Sequence, residues 1–187
     1  MACYQAVDGD LAVKLIFGLG AILLASASLP AVAALPTPPQ AAATQQAQAY
    51  LFHAGAGDVF EITSSMVAIQ KSQNPQVRAF ASMLIDHHTQ TTNQSLAVAK
   101  SAGVMPPPPE LSPMQKDMIG QLMAASPASF DRVYLQQQVP AHQQALSINS
   151  GYARSGDVAA LRQNAQGAVP VIQAHLVQAQ RLLSGTR

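Results

Sequence analysis

The chain has 187 residues, enough for one domain with a substantial core, and its 10 basic and 9 acidic side chains leave a net charge of +1. That balance excludes the electrostatic footprint of a nucleic-acid binder or of a protein held on an anionic membrane. A single cysteine, Cys3, excludes a disulfide scaffold.

Residues 1–34 read as a secretory signal peptide. Lys14 precedes the apolar run Leu15 to Ala27, and Ser28-Leu29-Pro30 leads to Ala31-Val32-Ala33-Ala34, small residues at signal-peptidase spacing. The run is shorter than the ~20 residues a membrane-spanning helix needs, so no span is expected to survive cleavage near Ala33/Ala34. Asp8 and Asp10 are out of place ahead of an export signal. Val13-Lys14 would serve as a normal start if Val13 were encoded by a GTG initiator, so translation is expected to begin there. Removing residues 1–34 takes away two aspartates, one lysine and Cys3, so the charge rises only to +2 and no thiolate remains. The expected location is the periplasm.

Residues 35–44 (LPTPPQAAAT) read as a linker, since closely spaced prolines bar regular structure. From Gln45 the pattern is helical, and residues 45–187 are expected to form one bundle. Phe52, Gly55, Val59, Ile62, Met66 and Ile69 make the apolar stripe of a first helix, stopped at Ser72-Gln73-Asn74-Pro75. A second helix carries Val77, Phe80, Ala81, Leu84, His88, Thr91 and Ser95 on one face and ends near Gly103, followed by Pro106 to Pro109. Met114, Met118 and Leu122 mark a short connecting helix between Leu111 and Ala125. A third long helix has the stripe Phe130, Tyr134, Ala141, Ala145, Ile148 and Tyr152, and the glutamines Gln136-Gln137-Gln138 and Gln143-Gln144 read as its solvated surface. Asp157 is the expected N-cap of the last helix, whose stripe is Val158, Leu161, Ala165, Ile172, Leu176, Ala179 and Leu183. Pro140 and Pro170 fall inside the last two helices and are expected to kink them. The fold class is therefore all-α: a four-helix bundle with a short extra helix in the long connection between helices 2 and 3, which is the ferritin-like variant.

Several motifs in a fixed order carry a family resemblance. They are Phe60-Glu61-Ile62, Asn74-Pro75-Gln76-Val77-Arg78-Ala79-Phe80-Ala81, Asp86-His87-His88-Thr89, His142-Gln143-Gln144-Ala145, Gly151-Tyr152-Ala153 and Pro170-Val171-Ile172-Gln173-Ala174-His175-Leu176. Over roughly Gln48 to Leu183 the chain resembles the bacterial exported family called domain of unknown function 4142, in the ferritin-like superfamily. The resemblance implies an exported helical bundle with no established activity, and recurring polar positions at Glu61, His88, His142 and His175. His87 stands where the family usually has a second acidic residue and Ala141 where it usually has aspartate.

Those polar positions are also the chemistry the residues themselves suggest. His88, His142 and His175 fall on three different helices and the first helix offers Asp58 and Glu61, and ligands converging from separate helices are how bundles build metal sites. At ~100° per residue, His88 lies about 40° from the core centre at Leu84, His142 about 80° from Tyr134, and His175 about 60° from Ile172. Glu61 lies about 100° from Ile62, Asp58 about 40°, and His87 about 60° off its helix's core centre. Counted from the connecting turns at ~1.5 Å per residue, Glu61 and His88 lie within about 5 Å of the same depth, whereas His142 and His175 differ by about 10 Å.

A ferritin-type di-iron centre is excluded by inventory. It wants four glutamates, two of them in Glu-x-x-His pairs, and the chain has only Glu61 and Glu110. Imidazole-rich ligation suits a single zinc or copper ion, with Glu61, His88, His142 and His175 as ligands and Asp58 and His87 as further candidates. Met66, Met83, Met114, Met118 and Met123 read as core packing rather than copper ligands. No Ser-His-Asp set or phosphate loop suggests catalysis. The alternative role is a bundle without metal whose polar core residues fix helix register, with a protein partner in the cell envelope.

Overall fold

The computed structural model describes residues 40–186, so the expected leader and all but the end of the expected linker lie outside the described residues. Five helices follow in order: α1 (Gln40–Lys71), α2 (Pro75–Ser101), α3 (Pro113–Ala124), α4 (Phe130–Ser155) and α5 (Ala159–Gly185). No strand occurs among the described residues, as the single 3.6-residue periodicity demands. Helix α1 starts at Gln40, within the stretch expected to be linker.

The four long helices form an antiparallel bundle. The tight turns pair α1 with α2 and α4 with α5, and the two hairpins close through α1 against α4 and α2 against α5. Cross-links fix the register. Tyr50 meets Asn149 and Ser65 meets Tyr134 across α1 and α4, while Ser95 meets Asn164 across α2 and α5. Since α2 and α4 run the same way, the connection between them must travel the length of the bundle, and α3 lies in it against α1 and α4.

Local chemistry sets the boundaries. Asn74 caps α2, its side chain accepting from the Gln76 N–H at 2.9 Å, with Pro75 in the first turn where a missing N–H costs nothing. Gly103 follows α2 at φ 70°, a left-handed position that a side chain would strain. Ser112 and Gln115 form a reciprocal capping box that starts α3. The proline segment seats on α1 through Gly55, where a Cβ would stand only 3.0 Å from Pro109. Asn74→Ala should lower stability by about 1 kcal/mol, a loss that urea denaturation will read as a lower midpoint with unchanged slope.

The expected stripes of α2 and α5 are the buried ones, apart from half-buried positions at their ends. Helix α1 differs. Its buried face is Ala47, Tyr50, Leu51, Phe60, Glu61, Ser64, Ser65 and Ala68, while Met66 is exposed and Phe52, Ile62 and Ile69 are half-buried. Small and polar residues face the bundle here because they let α1 approach its neighbours closely, and this turns the helix by about one residue from the most hydrophobic choice. The glutamine surface expected on α4 is also corrected. Gln137 and Gln138 are buried, donating to the Met118 carbonyl and to Ser64 Oγ at 2.8 Å each.

Asp157 does not cap α5. Val158 holds that position, and Asp157 accepts from the Tyr152 hydroxyl at 2.7 Å. Of the methionines expected in the core, Met66, Met114 and Met123 are exposed and only Met83 packs on a core cluster. Met66 follows the rotation of α1, and α3 buries only Leu122.

The apolar core is split. One cluster, with Phe80, Leu84, Leu122, Phe130, Tyr134 and Leu135, fills the end of the bundle nearest the α1–α2 turn. The other, with Leu51, Val104, Tyr152 and Leu161, fills the opposite end. Between them lie the polar residues of the site.

Candidate metal centre

All six candidate residues meet at mid-height of the bundle. Glu61 on α1 is 1% exposed, and His88 on α2, His142 on α4 and His175 on α5 are buried with it. Glu61 is therefore at the centre of α1's buried face and not at its edge. His142 and His175 also share a level, with ring centroids 5.4 Å apart, so the expected depth mismatch does not exist. His142 lies 13 residues before the end of α4 and His175 16 after the start of α5, a difference of less than one turn. The residues of the connecting turn lengthen the chain without adding rise.

Each imidazole is held by one nitrogen. His88 Nδ1–H donates to Asp58 Oδ1 at 2.8 Å, and Asp58 Oδ2 accepts from the Thr92 hydroxyl at 2.6 Å. His142 Nδ1–H donates to the Gln138 carbonyl at 2.9 Å. His175 Nε2 lies 2.8 Å from His87 Nδ1, with the rings stacked at 5.1 Å. A proton on the buried Nδ1 of His175 would have no acceptor, so it belongs on Nε2, donated to the exposed His87.

In the neutral rings the opposite nitrogens are lone pairs facing inward. His88 Nε2, His142 Nε2, His175 Nδ1 and both Glu61 oxygens are buried without a hydrogen bond. Glu61 Oε2 stands 3.1 Å from His88 Nε2 and Oε1 3.3 Å from His142 Nδ1, close in distance but without hydrogen-bond geometry. Ligand atoms of His88, His142 and His175 lie within 4.8 Å of one another, and so do those of Asp58, Glu61 and His88. Buried polar atoms normally find partners, and five orphaned atoms from four helices could serve as the donors of a cation.

Electrostatics agree. Burial pushes Glu61 up to about 7, its neighbour His88 pulling it down and Asp58 adding to the rise. Burial pulls His88 down, but Glu61 and Asp58 outweigh that and hold it above the ordinary histidine value. Burial takes His142 down to about 4, against the Gln138 carbonyl and with help from His88. Burial and the three neighbouring imidazoles take His175 down to about 3. Two of the three inward nitrogens are thus unprotonated at neutral pH.

Sequence reasoning missed the supports. Thr92 fixes Asp58 and Gln138 orients His142. Thr92 lies one turn beyond His88 on the same face, a spacing that would have found it. The Gln138 contact is made through backbone and leaves no signal in side-chain type.

No described helix is long and apolar enough to cross a membrane. Among curated proteins none matches the chain. Among solved structures the chain is similar to CopM in the Cu(I)-bound form, with TM-score 0.64 and 19% identity over 74% of this chain and 96% of that one. It is also similar to CopM in the Cu(II)-bound form, with TM-score 0.63 and 16% identity over the same shares. These likenesses establish the shared bundle fold. The motif order read from the sequence is matched by a family over residues 32–182, and the chain belongs to that family, Domain of unknown function (DUF4142).

Proposed function

We propose that this protein is an exported metal-binding protein that holds one copper ion at the waist of its bundle, through His88 Nε2, His142 Nε2, His175 Nδ1 and Glu61. The observation that carries this reading is the meeting of His88, His142 and His175, whose ligand atoms lie within 4.8 Å of one another, with Glu61 Oε2 3.1 Å from His88 Nε2 and each of these inward donors buried without a hydrogen bond. Three imidazoles and one carboxylate suit copper(II) or zinc far better than magnesium or calcium. Copper is favoured over zinc by the fold shared with CopM, whose solved structures hold copper. Asp58, Gln138 and His87 are the outer supports that fix each ring's tautomer and aim. The leader-like residues 1–34 supply the route to the periplasm.

A ligand that binds only the folded state stabilises it by RT ln(1 + [L]/Kd), about 4 kcal/mol at a thousandfold excess over Kd. Copper(II) in that excess should therefore raise the melting temperature by roughly 8–16 °C, and His53→Ala, on the exposed side of α1, should leave the rise intact. If neither copper nor zinc shifts the melting temperature at neutral pH, the metal reading is wrong and the bundle is a partner-binding one. Asp58→Asn keeps the shape but weakens the acceptor for His88 Nδ1–H. It should cost 10- to 100-fold in copper affinity, roughly the range for an outer-shell partner, measured by competition with a chelator of known affinity.

A further inference from the structure

A metal ion does not account for the space beside it. The site opens into a cavity of about 1140 Å³, lined by Asp58, Glu61, His88 and His175 and extending along α1, α2, α4 and α5 to the proline segment. Protein interiors are close-packed, and voids much larger than a water are few. This one begins where the apolar core is interrupted and runs along the second end cluster, past Tyr50, Leu51 and Ile148. Small residues create it: Ala54, Gly57, Ala145 and Ala168 line it, and a Cβ added at Gly57 would meet no atom within 4 Å. Its volume is that of a pocket for a small organic molecule, not a bare ion.

The lining states the chemistry of an occupant. Phe60, Ile148, Val171 and Ile172 give apolar walls, and Asn149 and Asn164 add polar points. Asp58, Glu61 and Glu110 line it and no lysine or arginine does, so beyond the metal and its imidazoles a carboxylate or phosphate would meet like charge. His88 and His175 belong to this lining, their inward nitrogens buried just behind it, whereas His142 is not part of the lining and closes the site from the core side. A metal held there would border the cavity.

We propose that the cavity binds an uncharged, largely apolar molecule that carries a nitrogen donor and adds that donor to the copper ion. The proposal rests on the copper reading above and extends it from holding an ion to recognising a metal-binding organic ligand.

The test uses the copper(II)-loaded full chain, with copper content measured before and after, titrated with imidazole, benzimidazole and benzoate while the visible and electron paramagnetic resonance spectra are followed. Both neutral bases should shift the copper spectrum. Benzimidazole should bind about tenfold more tightly than imidazole, because its second ring buries apolar area in the cavity. Benzoate, of similar size but negative, should bind at least tenfold more weakly than benzimidazole. Gly57→Leu and Ala168→Phe, filling the cavity from α1 and α5, should each remove the preference for the larger base and leave copper affinity unchanged. A chain that takes up no copper overturns the copper reading and this proposal together. Copper bound but unperturbed by either base, equal binding of the two bases, stripping of the copper by benzimidazole, or a preference that survives in both filled variants overturns this proposal alone.

Discussion

Glu61→Leu should make the metal-free protein more stable and weaken copper binding by more than the roughly 10- to 100-fold that loss of an outer support costs. Glu61 is almost wholly buried, neither of its oxygens has a hydrogen bond, and burial holds its pKa near 7. A buried carboxylate in that condition costs the fold, since desolvation is not repaid by partners. Replacing buried charged groups with hydrophobic ones of similar volume is often neutral or stabilising by about 1–4 kcal/mol. For a domain of this size about 1 kcal/mol is a rise of roughly 2–4 °C in melting temperature. The opposite role makes the opposite prediction. Were Glu61 present only to pair with His88, its removal would leave a buried group uncompensated and cost about 3–5 kcal/mol. Thermal melts of the metal-free variant, read with a copper titration, separate the two, and a clearly lower melting temperature would count against a ligand role for Glu61.

Copper affinity should fall steeply with acid, beginning near pH 7 and approaching a hundredfold loss per pH unit by about pH 5. The sign follows from which groups must shed protons to bind. Glu61 titrates near 7 and His88 above the ordinary histidine value, so below those values the metal-free site carries two protons that the metal must displace. His142, near 4, and His175, near 3, are already neutral and add nothing until much lower pH. Three unperturbed histidines would instead lose affinity through ~6.5, with a limiting slope of three protons. Isothermal titrations from pH 7.5 to 5 in buffers of differing ionisation enthalpy count the protons released, and a count near three at pH 5 would contradict this assignment.

The number and order of the helices, the crossover and the core faces of α2 and α5 were legible in the sequence because large apolar residues mark them at regular spacing. So was the clustering of His88, His142 and His175, since they are the histidines on buried faces. The face of α1 was not legible. Its contact surface is made of Ala47, Ser64, Ser65, Ala68 and Glu61, so hydrophobicity pointed about one residue away. Gln138 misled for a related reason: an amide satisfied by Ser64 can be buried at little cost, and nothing in the residue type announces its partner. The meeting of His142 with His175 was hidden by counting turn residues as helical rise.

The division of the apolar core into two end clusters bears on how the molecule breathes. In most helical bundles the ends fray first and the middle is the last part to exchange its amide hydrogens. Here the end nearest the α1–α2 turn is packed around Phe80, Leu84, Tyr134 and Leu135, while the waist holds unpartnered polar atoms and the void beside it runs on past Tyr50, Leu51 and Ile148 of the opposite end. The metal-free bundle should therefore open from its waist toward that second end, while the end at the α1–α2 turn stays shut. An ion bridging α1, α2, α4 and α5 would act as a belt at that level, so loading and release become the tightening and loosening of the waist of a molecule anchored at one end.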